Sequence, residues 1–451
     1  MKLTTLIAAA CLFLPFTATA KEGIEYRKFT ATNGNSISAV IVDKNETAVV
    51  FLLENGKRAT VPLTTLSEDD RSYVKSWNKA KAVFLRECRS LSVGELLTLR
   101  GYEAIPIKLE GNTMMVQLEI NGKPAKMVLD TGAGSSLLHT GACKRVGAAL
   151  GPFDYKVYGV SGEAPAALAQ VDEFKVGEAV FKDRQIMATD MAKDMAPGAK
   201  VRDDGLLGAE VLSDLEAVIT YRERKLFIRP DRSDANKTEG DTSEDALSFR
   251  IFKTKRGKIY RGLIASKTST VATIAQQNGK KVQVPISLLS PEDAAYVISW
   301  TEARATFLRH CRSLTINELL ELRQYLSFEY ERRGNHIFVD GKLNDNDVTW
   351  MIDTGADNSL LHIDAAKEHG AKVGSMTKEV WGVGGKAPAA ATDVDSVSLG
   401  KAVFRKRKIL ATDLDRFDSG LDYVGLFGAD FLRETYAVIT YKEKRIFLKQ
   451  E

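Results

Sequence analysis

The sequence predicts a mainly β chain with short helices, written as two copies of one plan whose larger parts form a pseudo-twofold pair, with a small strand-rich module ahead of each. Three observations predict it. The second half of the 451 residues rewrites the first at an offset of 223, from Trp77 and Trp300 to Asp190 and Asp413, falling to 220 at Gly208 and Gly428. Runs of β-branched residues are punctuated by Asn-Gly at 33–34, 55–56 and 278–279, a pair that tolerates the positive φ of tight hairpin turns. Helical stretches are brief and carry legible caps, Ser67 with Asp70 and Ser290 with Pro291. Hydrophobic residues at 44% and charged residues at 27% leave no composition that argues for disorder.

The elements follow in chain order. Residues 1–20 carry Lys2, an apolar run from Leu6 to Phe16 and an A-x-A ending, which reads as a secretory signal cleaved after Ala20 and predicts a secreted or periplasmic protein. The run is too short to span a bilayer, and no later segment is long and apolar enough. Without Lys2 the chain holds 62 basic and 59 acidic side chains, so nothing in its charge asks for nucleic acid. Residues 24–78 and 247–301 are the strand-rich modules. They begin R-x-F, pass through glycine turns and V-P-L or V-P-I, and end LSEDDRSYV or LSPEDAAYV. In these features they resemble the SLA1 homology domain 1 family of small SH3-like barrels, which implies a role in holding short peptides.

Helical connectors are expected at 79–111 and 302–334. Tyr73, Trp77, Ala80 and Phe84, with Tyr296, Trp300, Ala303 and Phe307, recur at helical spacing and are expected in the core. Cys88, Cys143 and Cys311 show no metal-ligand spacing, so neither a metal nor another cofactor is expected. Cys88 and Cys311 stand at matching places, where one bridge is conceivable in an oxidising compartment, although two buried helix residues is the plainer expectation. A polar stretch at 231–246 joins the copies.

The third part of each copy, 112–230 and 335–451, carries the chemistry. Met114, Val116, Leu118 and Ile120 alternate with less apolar neighbours, Asn121-Gly122 turns the chain, and the next strand runs into Asp130. VLDTGAGSSLLH at 128–139 returns as MIDTGADNSLLH at 351–362. A lone Asp-Thr-Gly is weak evidence, because Asp and Gly are ordinary turn residues. Here each is followed by a glycine-rich hairpin, YGVSGEAPA or WGVGGKAPA, then by DGLLGAEVL or VGLFGADFL and a terminal strand.

That order resembles the retropepsin-like aspartic proteases, especially the bacterial single-domain kind. The resemblance implies a half-site in each copy, with one Asp apiece, and hence an aspartic endopeptidase acting on peptide or protein substrates. Two carboxyls are needed because one must be ionised to take a proton from water while the other, neutral, protonates the carbonyl oxygen. Like charges at contact cannot both ionise, so a close pair supplies both forms. Asp130 and Asp353 are therefore the expected catalytic pair, facing each other across a pseudo-twofold axis within one chain rather than between chains.

Thr131 and Thr354 are expected to hydrogen-bond across that axis, and Gly132 and Gly355 to let backbone approach substrate. Ala133, Ala356 and Asp357 are expected to contact substrate, with Tyr158, Gly159, Trp381 and Gly382 on hairpins that match the family's flaps. Gly208 and Gly428 are expected to pass tightly behind the catalytic loops, and His139 and His362 to be structural. Alanine at 133 and 356, where pepsin-like relatives carry a serine, offers no hydroxyl to lower the carboxylate pKa, so activity is expected at mildly acidic to near-neutral pH. Gly134 in one copy stands opposite Asp357 in the other, so the two halves of the cleft are expected to differ. A rival reading from another class is a non-catalytic interaction protein working through the SLA1-like modules.

Overall fold

The computed structural model describes residues 26–190, 203–233, 250–276, 279–414 and 422–449. The leader-like first twenty residues, most of the joining stretch and Asn278 of the third Asn-Gly pair lie outside them. The chain divides into two compact units, one of Met1–Ser92 with Ser243–Thr315 and one of Val93–Thr242 with Ile316–Glu451.

In the first unit each copy contributes a four-stranded antiparallel meander, Arg27–Thr30 to Arg58–Pro62 and Arg250–Lys253 to Lys281–Pro285. The duplication extends to irregularities: the register shifts between Ile41 and Asp43 in one and between Ile264 and Ser266 in the other. Phe29, Ile41 and Phe51 fill one core and Phe252, Ile264 and Ile274 the other. The Ser67 hydroxyl accepts the Asp70 N–H at 3.3 Å and Ser290 that of Asp293 at 3.2 Å, so both helix starts are capped.

Two expectations are corrected here. The helix-spaced aromatics do not lie on one helix, because Trp77 adopts extended backbone after Glu68–Ser76 and Asn78 caps a new helix, Lys79–Val83, by accepting the Lys81 N–H at 3.1 Å. Tyr73 is not core either: it is 41% exposed, with the Arg27 guanidinium 4.0 Å from its ring, a cation–π contact that covers one face of the ring. Cys88 and Cys311 are fully buried free thiols that adjoin each other, donating to the equivalent carbonyls of Ala303 and Ala80 at 3.5 Å.

The second unit is built around six strands in the order Glu103–Glu110, Lys225–Ile228, Val218–Thr220, Val438–Thr440, Arg445–Leu448, Leu326–Glu329. Its middle pair is antiparallel with Ile219 opposite Ile439, so the relation between the copies runs through that point. Val218–Thr220 and Val438–Thr440 are buried at every residue, and the Thr220 and Thr440 hydroxyls donate to the Lys225 and Arg445 carbonyls at 3.1 Å. The outer strands of the six fall where the sequence predicts only helical connector. The alternation of buried Ile105 and Ile107 with exposed Pro106 and Lys108 is the strand signal.

On each side of this sheet one copy folds its own β layers over an apolar core. In the first copy Gly205–Leu207 slots between Lys123–Leu129 and Leu137–His139, parallel to the former. In the second copy Gly425–Phe427 does the same between Asn346–Ile352 and Leu360–His362. Each inserted strand presses on the strand that carries an Asp, which fixes where that carboxyl can point. Among the described residues no helix is long and apolar enough to cross a membrane.

Candidate active site

The strands Lys123–Leu129 and Asn346–Ile352 each end directly before the aspartate, so the pleat that buries Leu129 and Ile352 delivers Asp130 and Asp353 to one place. Each carboxylate is cradled by its own loop. Gly132 and Ala133 donate N–H groups to Asp130 Oδ1 at 2.8 and 3.0 Å, and Gly355 and Ala356 donate to Asp353 Oδ1 at the same distances. Four donors from two tight loops hold the two carboxyls in register.

The threonines cross between the copies. Thr131 N–H donates to Thr354 Oγ1 at 3.0 Å and Thr354 N–H to Thr131 Oγ1 at 3.1 Å. Each hydroxyl passes its own hydrogen onward, Thr131 to the Ile352 carbonyl at 2.9 Å and Thr354 to the Leu129 carbonyl at 2.7 Å. Both side chains are fully buried. The network closes on itself, so neither loop can shift without breaking bonds to the other.

The glycines also make room for the pair itself. A Cβ on Gly132 would sit 2.4 Å from the carboxyl carbon of Asp353, and one on Gly355 would sit 2.4 Å from that of Asp130. What needs the missing side chain is first the approach of the two carboxyls. Behind them Gly208 and Gly428 are equally confined, with a Cβ falling 2.4 Å from the Ser135 carbonyl carbon and 2.8 Å from that of Asn358, and their N–H groups donate to Ser136 and Ser359 at 3.0 and 2.8 Å.

Burial lifts the carboxyl of Asp130 well above the usual range, and the negative charge of Asp353 beside it lifts it further. Burial raises Asp353 as well, against the Ala356 and Gly355 N–H groups and a hydrogen bond with Asp130 that act to lower it. The two titrate as a pair, and the first proton lost leaves the second strongly held.

The carboxyls lie on the floor of a cleft of about 500 Å³. Gly132, Ala133, Gly355, Ala356 and Asp357 line it near the loops, and Tyr158, Gly159, Trp381 and Gly382 line it from two hairpins. Every expected substrate contact therefore borders one cavity. The hairpins pair Tyr155–Gly159 with the start of Gly162–Val176, and Lys378–Gly382 with the start of Gly385–Leu399. Tyr158 and Trp381 are 57% and 53% exposed, so they are not residues of a packed face. The tips meet, with Ser161 Oγ donating to the Val383 carbonyl at 2.9 Å and Val160 packing on the apolar wall of the second copy.

The two ends of the cleft differ. Thr113 donates its hydroxyl to Asp357 Oδ1 at 2.5 Å and Asn112 donates to the Asp357 carbonyl at 2.9 Å. At the equivalent place Asn335 donates to the Gly134 carbonyl at 2.7 Å. His336, the counterpart of Thr113, stands 3.3 Å from where a Gly134 Cβ would be. His139 and His362 are structural caps, accepting the N–H of Gly141 and Asp364 at 2.8 and 3.2 Å. Among the described residues no group of His, Cys, Asp and Glu is arranged to hold a metal ion. Sequence reasoning missed the cleft residues Asp203 and Glu379, which no motif marks, and Leu206, which lies within DGLLGAEVL but was given no role there.

The sequence model described as aspartyl protease matches residues 116–211 and 339–431. One such match falls in each copy. The matches span the two loops and the inserted strands behind them, and they support a protease function. Among solved structures, the chain is similar to a retropepsin-like aspartic protease from Rickettsia conorii at 22% identity, covering 28% of this chain and 98% of that one with a TM-score of 0.22. It is similar to EIAV protease in complex with the inhibitor HBY-793 at 22% identity, covering 21% and 84% with a TM-score of 0.18. An aspartic proteinase from Irpex lacteus aligns at 13% identity, covering 77% and 97% with a TM-score of 0.36. A search of curated proteins gave no match.

Proposed function

We propose that this chain is a retropepsin-like aspartic endopeptidase with one active site, assembled within a single chain from Asp130 of the first copy and Asp353 of the second. The observation that carries this is the meeting of the two carboxyls at the cleft floor, each held by its own loop's N–H groups and each lifted above the usual range, Asp130 by burial and by the charge of Asp353, and Asp353 by burial.

The chemistry follows from one shared proton. A peptide lying in the cleft brings its carbonyl over the pair, and a water from solvent takes the place between. The ionised carboxyl removes a proton from that water while its oxygen bonds to the carbonyl carbon, and the protonated carboxyl gives its proton to the carbonyl oxygen. The resulting gem-diol collapses when the first carboxyl returns its proton to the amide nitrogen and the C–N bond breaks. A diol hydroxyl returns a proton to the second carboxyl, which restores the starting state. The hairpins over the cleft exclude bulk water during these steps.

On this reading the two strand-rich modules are SLA1-like interaction domains, and the leader-like first twenty residues export the enzyme. The test is cleavage of a random peptide library by the native protein, its block by a statine-type inhibitor, and its loss in Asp130→Asn and Asp353→Asn taken singly. Sedimentation of the active protein as a monomer supports one site per chain, and activity confined to dimers refutes it.

A further inference from the structure

Beside the cleft the two copies differ in a way that chemistry makes decisive: Asp203 lines it, whereas its counterpart in the second copy packs behind the lining residues Leu360 and Leu426. Tyr423 and Asp203 correspond at the offset of 220, each two residues before the inserted strand of its copy. On the second copy's side Tyr423 packs edge-on to Phe338 at 5.9 Å and joins an apolar cluster with Leu360 and Leu426. On the first copy's side the place of Tyr423 is taken by a carboxyl, beside Leu206 at the border of the same cleft.

Asp203 is not held as its neighbour is. Asp204 is tied down, accepting the Lys126 N–H at 2.8 Å and pairing with Arg145 at 2.6 Å. For Asp203 the Gly205 N–H is a partner, but among the described residues no Lys or Arg forms an ion pair with it. Lys126, which acts on it through space, places its ammonium 3.3 Å from Glu110. The other charged groups of the lining are also acids, and they are engaged: Glu379 with Lys386 at 2.7 Å and Asp357 with the Thr113 hydroxyl.

We propose that Asp203 is a specificity-determining residue and that it selects a substrate side chain with an aliphatic stem and a cationic end, Lys or Arg, within two residues of the scissile bond. The inference rests on the proposed protease reading. The stem covers Leu206 and the charged head meets the carboxylate, the arrangement such side chains favour at an apolar wall. Burial of the empty site makes the free charge costly, as the upward push on the Asp203 carboxyl reflects, and a cation relieves that cost where a neutral side chain does not. On the other side the apolar wall of Leu360 and Leu426, backed by Tyr423, takes an apolar or aromatic residue. A lining whose charged residues are all acids also draws cationic peptides toward the cleft.

The experiment compares peptides identical except for Lys, Arg, Leu or Glu scanned across the positions flanking the cleaved bond. The native protein is expected to show a Lys-to-Leu ratio in kcat/KM of roughly 10- to 100-fold at one position, the range of one buried charge-assisted hydrogen bond. Asp203→Asn is expected to lower that ratio toward unity, and Asp203→Lys to turn the preference at the same position to Glu. If the Asn variant fails to fold, Asp203→Ser and the native ratio decide. A native enzyme that cleaves the Leu and Lys peptides equally, or a basic preference that survives in Asp203→Asn, overturns the proposal. If native protein cleaves none of the peptides, it is the protease reading that fails. Binding of the same peptides, fluorescently labelled, then decides the role of Asp203: tighter binding of the Lys peptide, lost in Asp203→Asn, upholds it, and equal binding of Lys and Leu peptides overturns it.

Discussion

Replacing Thr131 with Val keeps the branched shape and removes one hydroxyl, which in this fold has two partners in the other copy. The Thr354 N–H would lose its acceptor at 3.1 Å and the Ile352 carbonyl its donor at 2.9 Å. Thr131 and Thr354 are fully buried, so water is not at hand to replace either bond. A buried polar group left without a partner costs about 1–3 kcal/mol, so the two together predict a loss of about 2–6 kcal/mol. Thr131→Ser keeps the hydroxyl and deletes a methyl, at about 1 kcal/mol. In a domain of this size the Val variant should melt on the order of 10 °C below the native protein, with Ser much nearer to native. Differential scanning calorimetry of both, with peptide cleavage alongside, is the assay. A Val variant that melts with the native protein, or a Ser variant damaged as badly as Val, refutes the view that cross-copy hydroxyl bonding holds the loops together.

Asp353→Asn is expected to abolish cleavage and, at neutral pH, to raise the melting temperature. Burial lifts the folded pKa of this carboxyl above its unfolded value, so its contribution to stability is full below the unfolded pKa, about 4, and is lost as pH rises through the folded value. The gap between variant and native should therefore widen from pH 4 to 7, and a gap that widens toward acid contradicts this. Asp70 behaves in the opposite sense: burial alone would lift it, but the Thr30 N–H, Arg27 and the Ser67 hydroxyl outweigh burial and hold it low. Asp70→Asn should thus cost about 1–3 kcal/mol near pH 7 and nothing once pH falls below the folded pKa, as urea melts across pH will show. Ser161→Ala removes the bond to the Val383 carbonyl, worth about 1 kcal/mol, so amide exchange at 158–162 and 381–385 should quicken roughly five-fold. Unchanged exchange would mean that the hydroxyl does not latch the hairpins.

Much of this architecture was legible because it was written twice. A local feature that recurs 223 residues later is unlike chance, and that recurrence carried the paired loops, the hairpins over the cleft and the strand-to-helix segments behind it. Caps were legible too, since Ser67 and Ser290 act on residues three positions away. What failed was reasoning that took spacing for continuity. Tyr73 to Phe84 keep a helical period, yet Trp77 turns extended and Tyr73 faces solvent under Arg27. The strand Glu103–Glu110 escaped although its Ile107–Glu110 half pairs with the next strand in a hairpin, because its alternation is short and its other half pairs with Lys225–Ile228, more than a hundred residues on.

The amino-acid order by itself determined the duplication, the β-rich plan and the identity of the two aspartates, because each is a matter of residue type at short range or of likeness between copies. Tertiary structure alone decided that Gly132 makes room for the carboxyl of Asp353, that Thr131 is bonded to Ile352, and that Asp203 rather than Asp204 borders the cleft. Those facts depend on which atoms meet across the pairing of Ile219 with Ile439 and on how each copy packs over that sheet, and contacts between residues so far apart in the chain leave no period, cap or motif to read.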